Sequence, residues 1–293
     1  MSFMESYFME YLSRPDIILW IQQIAAPVLD WFFIAVTFLG NEEFYLIAVP
    51  ILYWCVDKKF AFKLGVLFLL SAYVNDLLKE IFQTPRPDPA QVRVIYPESG
   101  GGYAFPSGHS QGAAVFWGTI AWQLKKAWAW VAAVIIIIAV GISRLYLGVH
   151  WPIDVAGGWA IGAVILGLYF IYDTTHPLRG ISPKTIPLIV LVLALAAVMF
   201  FIYSGDTAVR VIGTLSGMSI GFIIEEEYIL FDPKSVWWYQ VVKVVAGVAV
   251  IFLIKIVVKM LLPDVPVSHL VRYCLIGLWI TAGVPLVFRG RKQ

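Results

Sequence analysis

Along most of the chain, apolar residues run in blocks of about twenty separated by short polar connectors. That is the spacing expected of helices crossing a bilayer. Nine blocks stand out, at 30–55, 60–82, 107–124, 127–146, 152–174, 186–204, 208–224, 236–262 and 269–288. The first carries Gly40, Asn41, Glu42 and Glu43 at its middle, which predicts a break or a later start, and the seventh is short. Ahead of them, residues 3–29 mix aromatic and aliphatic side chains with Glu5, Glu10, Asp16, Gln22 and Gln23, a pattern that predicts interfacial amphipathic helices. The connectors DKK (57–59), LKK (124–126) and SGDT (204–207) leave no room for a soluble domain. The exception is 83–106, whose prolines and glycines predict a long loop, and long loops in compact proteins are often functional. The expected fold is all-α, a polytopic transmembrane bundle of about nine spans. Its expected parts are an N-terminal interfacial segment at 1–29, a transmembrane core at 30–175 and further spans at 176–293.

Composition supports the bilayer. The 293 residues are 60% hydrophobic and 14% charged, with a mean hydropathy of +0.83, whereas soluble domains carry roughly 25% charged residues. Net charge is only +2, and neither a long basic run nor an aromatic-basic stripe points to nucleic acid, so none is expected as a partner. Cys55 and Cys274 have no metal-site spacing and no disulfide framework, and fall near opposite membrane faces, so they are expected unpaired. The first residues lack a basic stretch followed by an apolar one, so no cleaved signal peptide is expected. One face of the bundle collects Lys58, Lys59, Lys125, Lys126, Arg179, Lys184, Lys234, Arg289, Arg291 and Lys292. The other collects Arg14, Arg93, Arg210 and Arg272. The positive-inside rule makes the first face cytoplasmic. The expectation is an integral protein of a plasma or inner membrane, with its C-terminus inside and loop 83–106 outside or in a lumen.

Some polar features have plain explanations. Gly213, Gly217 and Gly221, four apart, predict close helix packing. Glu225, Glu226 and Glu227 predict a solvated acidic face. Lys243, Lys255 and Lys259 lie in an apolar block, where ionisable residues are costly. Lys259 can snorkel, and Lys255 is the candidate to face a polar cavity.

Chemistry concentrates in three segments. Lys79-Glu-Ile-Phe-Gln-Thr-Pro-Arg86-Pro87 ends one span, Pro106-Ser107-Gly108-His109 opens the next, and Ser143-Arg144-Leu-Tyr-Leu-Gly-Val-His150-Trp-Pro-Ile-Asp154 joins two more. All three fall on the same outer face. Two arginines and a lysine suit a dianionic phosphate, because a guanidinium offers paired planar donors and an ammonium a point charge. Ser107 and Gly108 follow a proline and open a helix, so their backbone N–H groups are expected to point at an anion, and Gly108 permits close approach. A neutral imidazole can attack phosphorus when a carboxylate accepts its other N–H, and Asp154 stands one helical turn beyond His150. His109, on a different helix, is placed to protonate the leaving oxygen. No His/Cys/Asp/Glu cluster resembles a metal cage, so neither metal nor cofactor is expected. Taken singly, Lys79 or Arg86 reads as an interfacial anchor and Ser-Gly as ordinary capping. What sets them apart is that all three segments end at one depth. His176 and His269 read as loop residues.

The patterns K-x6-R-P, P-S-G-H and S-R-x5-H-x3-D, in this order, resemble the three-part signature of the type 2 phosphatidic acid phosphatase superfamily. Lys79, Arg86, Pro87, Pro106, Ser107, Gly108, His109, Ser143, Arg144, His150 and Asp154 fill every position. The resemblance implies a phosphohistidine at His150 held by Asp154, His109 as general acid, phosphate bound by Lys79, Arg86, Ser107, Gly108 and Arg144, and no metal. It also implies a six-helix-type phosphatase core followed by extra C-terminal spans. Leu39-Gly-Asn-Glu-Glu-Phe-Tyr45 and the stretch after it resemble the first span of sphingosine-1-phosphate phosphatases. The nine-span plan also resembles glucose-6-phosphatase. The second motif departs from the sphingoid enzymes, which commonly have P-S-T-H.

The activity so implied is hydrolysis of a lipid phosphate monoester or diphosphate. Candidate substrates are a phospholipid such as a phosphatidate or phosphatidylglycerol phosphate, a polyprenyl diphosphate and a sphingoid phosphate. Phosphotransfer to another lipid or sugar is the alternative, and transport is the third class. Tyr96 and Tyr103 are candidates to line a headgroup entrance, and Asp76 to support the site. The spans beyond 175 have a homodimer contact among their candidate roles.

Overall fold

The computed structural model describes residues 14–175 and 185–289. Residues 1–13 of the expected interfacial segment at 1–29 lie outside the described residues, as do His176, Arg179, Lys184, Arg291 and Lys292. Every regular element among the described residues is helical. The chain forms two compact units, Met1–Tyr45 with Val74–His176, and Leu46–Tyr73 with Pro177–Gln293.

The first unit contains α1 (Asp16–Gln22), α2 (Pro27–Phe38), α5 (Gly108–Leu124), α6 (Ala127–Tyr146) and α7 (Pro152–Thr175). It also holds the first turn of α3 (Glu42–Cys55) and the last turns of α4 (Lys58–Phe82). The block read as one span over 30–55 is broken. Pro27 opens α2, whose axis bends 119° from α1. At the far end, Gly40 and Asn41 close a turn by donating to Thr37 and Phe38 carbonyls at 2.9 and 3.0 Å, and α3 starts afresh. The other expected blocks reappear as single helices or as helices interrupted by short turns. Among the described residues, six helices are long and apolar enough to cross a membrane, and the bent pair α1–α2 makes a seventh candidate.

α5 packs against both α6 and α7, and small residues set the spacing. Ala121 of α5 meets Ala129 and Ala133 of α6 in one buried cluster. The end of α6 is pinned from the N-terminal side. Phe33 stacks on Tyr146 with ring centroids 4.2 Å apart. The Tyr146 hydroxyl donates to Asp30 at 2.7 Å, and Asp30 also pairs with Arg93 of the long loop. Gln22 Nε2 donates to the Arg93 and Tyr146 carbonyls at 2.7 and 2.9 Å. Loop 83–106 is thus tied to α1, α2 and α6, although its regular structure is limited to one short turn, Pro97–Ser99.

The second unit is built on α8 (Thr185–Ile202), α9 (Asp206–Ile224), α10 (Trp237–Leu261), α11 (Pro266–Leu278) and α12 (Val284–Val287), with α3 from Leu46 onward and the first turns of α4. Its core gathers Tyr53, Trp54, Ala61, Ile251, Tyr273, Ile276, Ile280 and Val284. α9 and α11 cross at the predicted glycines: a Cβ on Gly217 would lie 2.0 Å from the Cys274 carbonyl oxygen. Both cysteines are free. One expectation changes here. Glu225 is buried rather than solvated, accepting from Lys58 at 2.8 Å and from the Phe231 amide at 2.7 Å. A wide-pitched turn, Glu225–Ile229, rotates its carboxylate inward, a geometry the triple-Glu pattern does not signal. The buried lysine of α10 is Lys243, which donates to the Pro233 carbonyl at 3.1 Å and sits 4.8 Å over the Phe231 ring, while Lys255 is half-buried.

Candidate active site

The site is assembled at the ends of helices, where backbone and side-chain donors converge. Ser107 caps α5: its Oγ accepts from the Ser110 amide at 3.4 Å and the Ser110 hydroxyl at 3.0 Å. Gly108 and His109 are the first two helical residues, so their N–H groups lack intrahelical acceptors. The expectation that the Ser107 N–H also faces an anion is corrected, because it donates to the Asp154 carbonyl at 2.9 Å. That bond fastens the start of α5 to the start of α7. Asn75, one turn before Lys79, donates to the Pro106 carbonyl at 3.2 Å and to Gln111 at 2.8 Å, and so holds the α5 start from the α4 side.

Three cations surround this point. Lys79, near the end of α4, donates to the Tyr103 and Ala104 carbonyls. Asp76 lies within its electrostatic reach. Arg86 donates from Nε to Gly102 at 2.9 Å, from Nη2 to Gly101 at 2.6 Å and Tyr103 at 3.2 Å, and from Nη1 to Val149 at 2.7 Å, all to carbonyls. Arg144, in the last turn of α6, is fully buried. Its Nη1 donates to Thr37 Oγ1 at 2.6 Å and Ser99 Oγ at 3.1 Å, and its Nη2 to the Ser99 carbonyl at 2.7 Å. Its Nε–H is buried and meets no acceptor among the described residues. A lone buried donor costs about 1–3 kcal/mol unless something accepts from it.

His150 links the cations to a carboxylate. Its Nδ1 lies 3.2 Å from Asp154 Oδ2, and its Nε2 lies 3.1 Å from Arg86 Nη1. A guanidinium nitrogen can only donate, so Nε2 is the acceptor and the ring proton sits on Nδ1, facing Asp154. The carboxylate is held in turn by the Trp151 amide at 2.8 Å. Burial and the charges of Arg144, Arg86 and Lys79 push His150 well below the ordinary histidine pKa. The imidazole is therefore neutral at physiological pH, with an unprotonated Nε2 among the cations. His109 lies within electrostatic reach of His150, and its Nε2 is 2.7 Å from Asn41 Oδ1.

All eight sequence-predicted site residues, Lys79, Arg86, Ser107, Gly108, His109, Arg144, His150 and Asp154, thus lie in the first unit. Among the described residues, no group of three or more His, Cys, Asp or Glu is placed to hold a metal ion. Thr37, Asn41, Asn75 and Ser99 join the site without having been anticipated. Asn41 lay inside the polar interruption at 40–43, which was the one available signal.

Fold and site together define an integral membrane protein of helices that carries a cationic, two-histidine centre. Residues 60–177 match the PAP2 superfamily, and residues 209–292 match the PAP2 superfamily phosphatase, transmembrane extension. The chain is 32% identical to phosphatidylglycerophosphatase B of Bacillus subtilis over 166 residues, 51% of this chain and 78% of that protein. The chain belongs to the PAP2 superfamily. It is 26% identical to sphingosine-1-phosphate phosphatase 2 of Mus musculus over 67% of this chain and 59% of that protein. To the undecaprenyl-diphosphatase of Sulfolobus acidocaldarius it is 29% identical over 43% of this chain and 61% of that protein. The chain therefore spans only about three fifths of the length of these last two relatives.

Proposed function

We propose that this protein is a metal-independent lipid phosphatase working through a phosphohistidine. The observation that carries the reading is the hydrogen-bonding of His150: Nδ1–H to Asp154, and an Nε2 lone pair facing Arg86. Neutral Nε2 attacks phosphorus, a P–N bond forms and the P–O bond to the lipid breaks. His109 is the general acid that gives a proton to the departing oxygen. Water then attacks the phosphohistidine and loses a proton to His109, the P–N bond breaks, and inorganic phosphate and neutral His150 are restored. Lys79, Arg86 and Arg144 offset the charge on the phosphoryl oxygens, aided by the amides of Gly108 and His109. The unmatched Arg144 Nε–H favours this reading, since a phosphoryl oxygen would satisfy it.

The relatives act, by their names, on sphingosine 1-phosphate, undecaprenyl diphosphate and phosphatidylglycerophosphate. The substrate class we infer is a lipid monophosphate or diphosphate whose tail stays in the bilayer. The distribution of lysine and arginine favours a site on the outer or luminal side, with the C-terminus cytoplasmic.

The test is phosphate release from a panel of lipid phosphates by purified protein with excess chelator. Activity is expected to persist under chelation and to vanish in His150→Ala. Labelled substrate is expected to leave acid-labile, base-stable phosphate on His150. Activity lost to chelator and restored by one divalent ion would refute the mechanism.

A further inference from the structure

The His109 ring rests against the turn that breaks the first apolar block. Asn41 Oδ1 is 2.7 Å from His109 Nε2. Gly40 leaves room for the ring: a Cβ there would lie 2.9 Å from His109 Cδ2 and 3.1 Å from its Cβ. The turn is held by the Gly40 and Asn41 amides, and the Asn41 carbonyl accepts from Tyr45 at 3.4 Å as α3 begins. One turn back, buried Thr37 accepts from Arg144 at 2.6 Å. The segment thus reaches two members of the site, although it lies outside both family matches, which cover 60–177 and 209–292.

We propose that Asn41 is a positioning residue for His109, a role resting on the reading of His109 as general acid. A carbonyl oxygen only accepts, so Asn41 fixes the hydrogen on Nε2 and orients the ring. It can do so whether the ring is neutral or protonated, so the contact survives both halves of the cycle in which His109 gives and then regains a proton. A neutral amide also leaves the proton affinity of the ring less altered than a carboxylate would. The break at Gly40–Asn41 then has a chemical purpose, since a side chain at position 40 would crowd the space where the ring lies.

The experiment compares leaving groups. A natural alkyl lipid phosphate needs its departing oxygen protonated, whereas a nitrophenyl phosphate analogue leaves readily as an anion. Asn41→Leu is expected to lower kcat about tenfold or more on the alkyl substrate, with nitrophenyl turnover within about twofold of wild type. Asn41→Asp keeps an acceptor, and is expected to retain more alkyl activity than Asn41→Leu and to shift the alkaline limb of the pH profile upward. Equal losses on both substrates in Asn41→Leu, or no loss on either, would overturn the proposal. If Asn41→Leu fails to fold, Asn41→Ser is read by the same ratio. His109→Ala is assayed in parallel. If it shows no preference for the activated substrate, the general-acid reading itself fails. If it shows that preference and the Asn41 variants do not, only the role of Asn41 is lost.

Discussion

At the scale of single residues, the chemistry turns on which groups are charged. As the proposed nucleophile, His150 attacks only when neutral, and burial beside Arg144, Arg86 and Lys79 holds its pKa well below the usual histidine value. Neutral imidazole therefore predominates down into mildly acidic solution and is lost only as the pH falls past that lowered value. The acid limb of kcat/KM for the free enzyme is expected below pH 6.5, the ordinary histidine value. A rate–pH profile with an acid limb above that value would contradict the assignment. Asp154→Asn removes the acceptor charge from Nδ1–H while keeping the shape. It is expected to cost about 100-fold or more in kcat, measured as phosphate release under saturating lipid. Arg144→Lys keeps the charge but loses the fork that reaches Thr37 and both Ser99 acceptors. It is expected to raise KM and lower kcat together.

At the scale of elements, the blocks that became helices were legible because period and length declare a spanning helix without help from distant residues. The three signature segments were legible because each residue's chemistry suits phosphate. Thr37, Asn75 and Ser99 were not, since small polar residues carry no pattern and gain meaning only from what the fold sets beside them, and Asn41 was marked only by the polar break at 40–43. The same reason hid the bond from the Ser107 amide to the Asp154 carbonyl, which joins residues 47 apart along the chain. The α9–α11 glycines were read correctly because four-residue spacing in an apolar helix marks one face. Gly217→Leu should force those two helices apart and cost about 3 kcal/mol or more of stability, read as a lowered melting temperature in detergent.

At the scale of the whole molecule, each unit has its own means of cohesion. In the second, Lys58 bridges Glu225 and Glu226 at 2.8 and 2.9 Å, with Glu225 buried. Lys58→Met alone strands the Glu225 carboxylate and is expected to cost about 3 kcal/mol, whereas Lys58→Met with Glu225→Leu should recover most of it. Thermal melting of the two variants decides this. In the first unit, two of the cations already have acceptors: Arg86 has carbonyls from Gly101, Gly102, Tyr103 and Val149, and Lys79 those of Tyr103 and Ala104. An arriving oxyanion must therefore compete with amide dipoles supplied by the chain itself. Its net affinity is the difference between two acceptors rather than the full Coulombic attraction, so in the proposed reaction uncharged headgroups gain little by trading places and the spent phosphate can be let go.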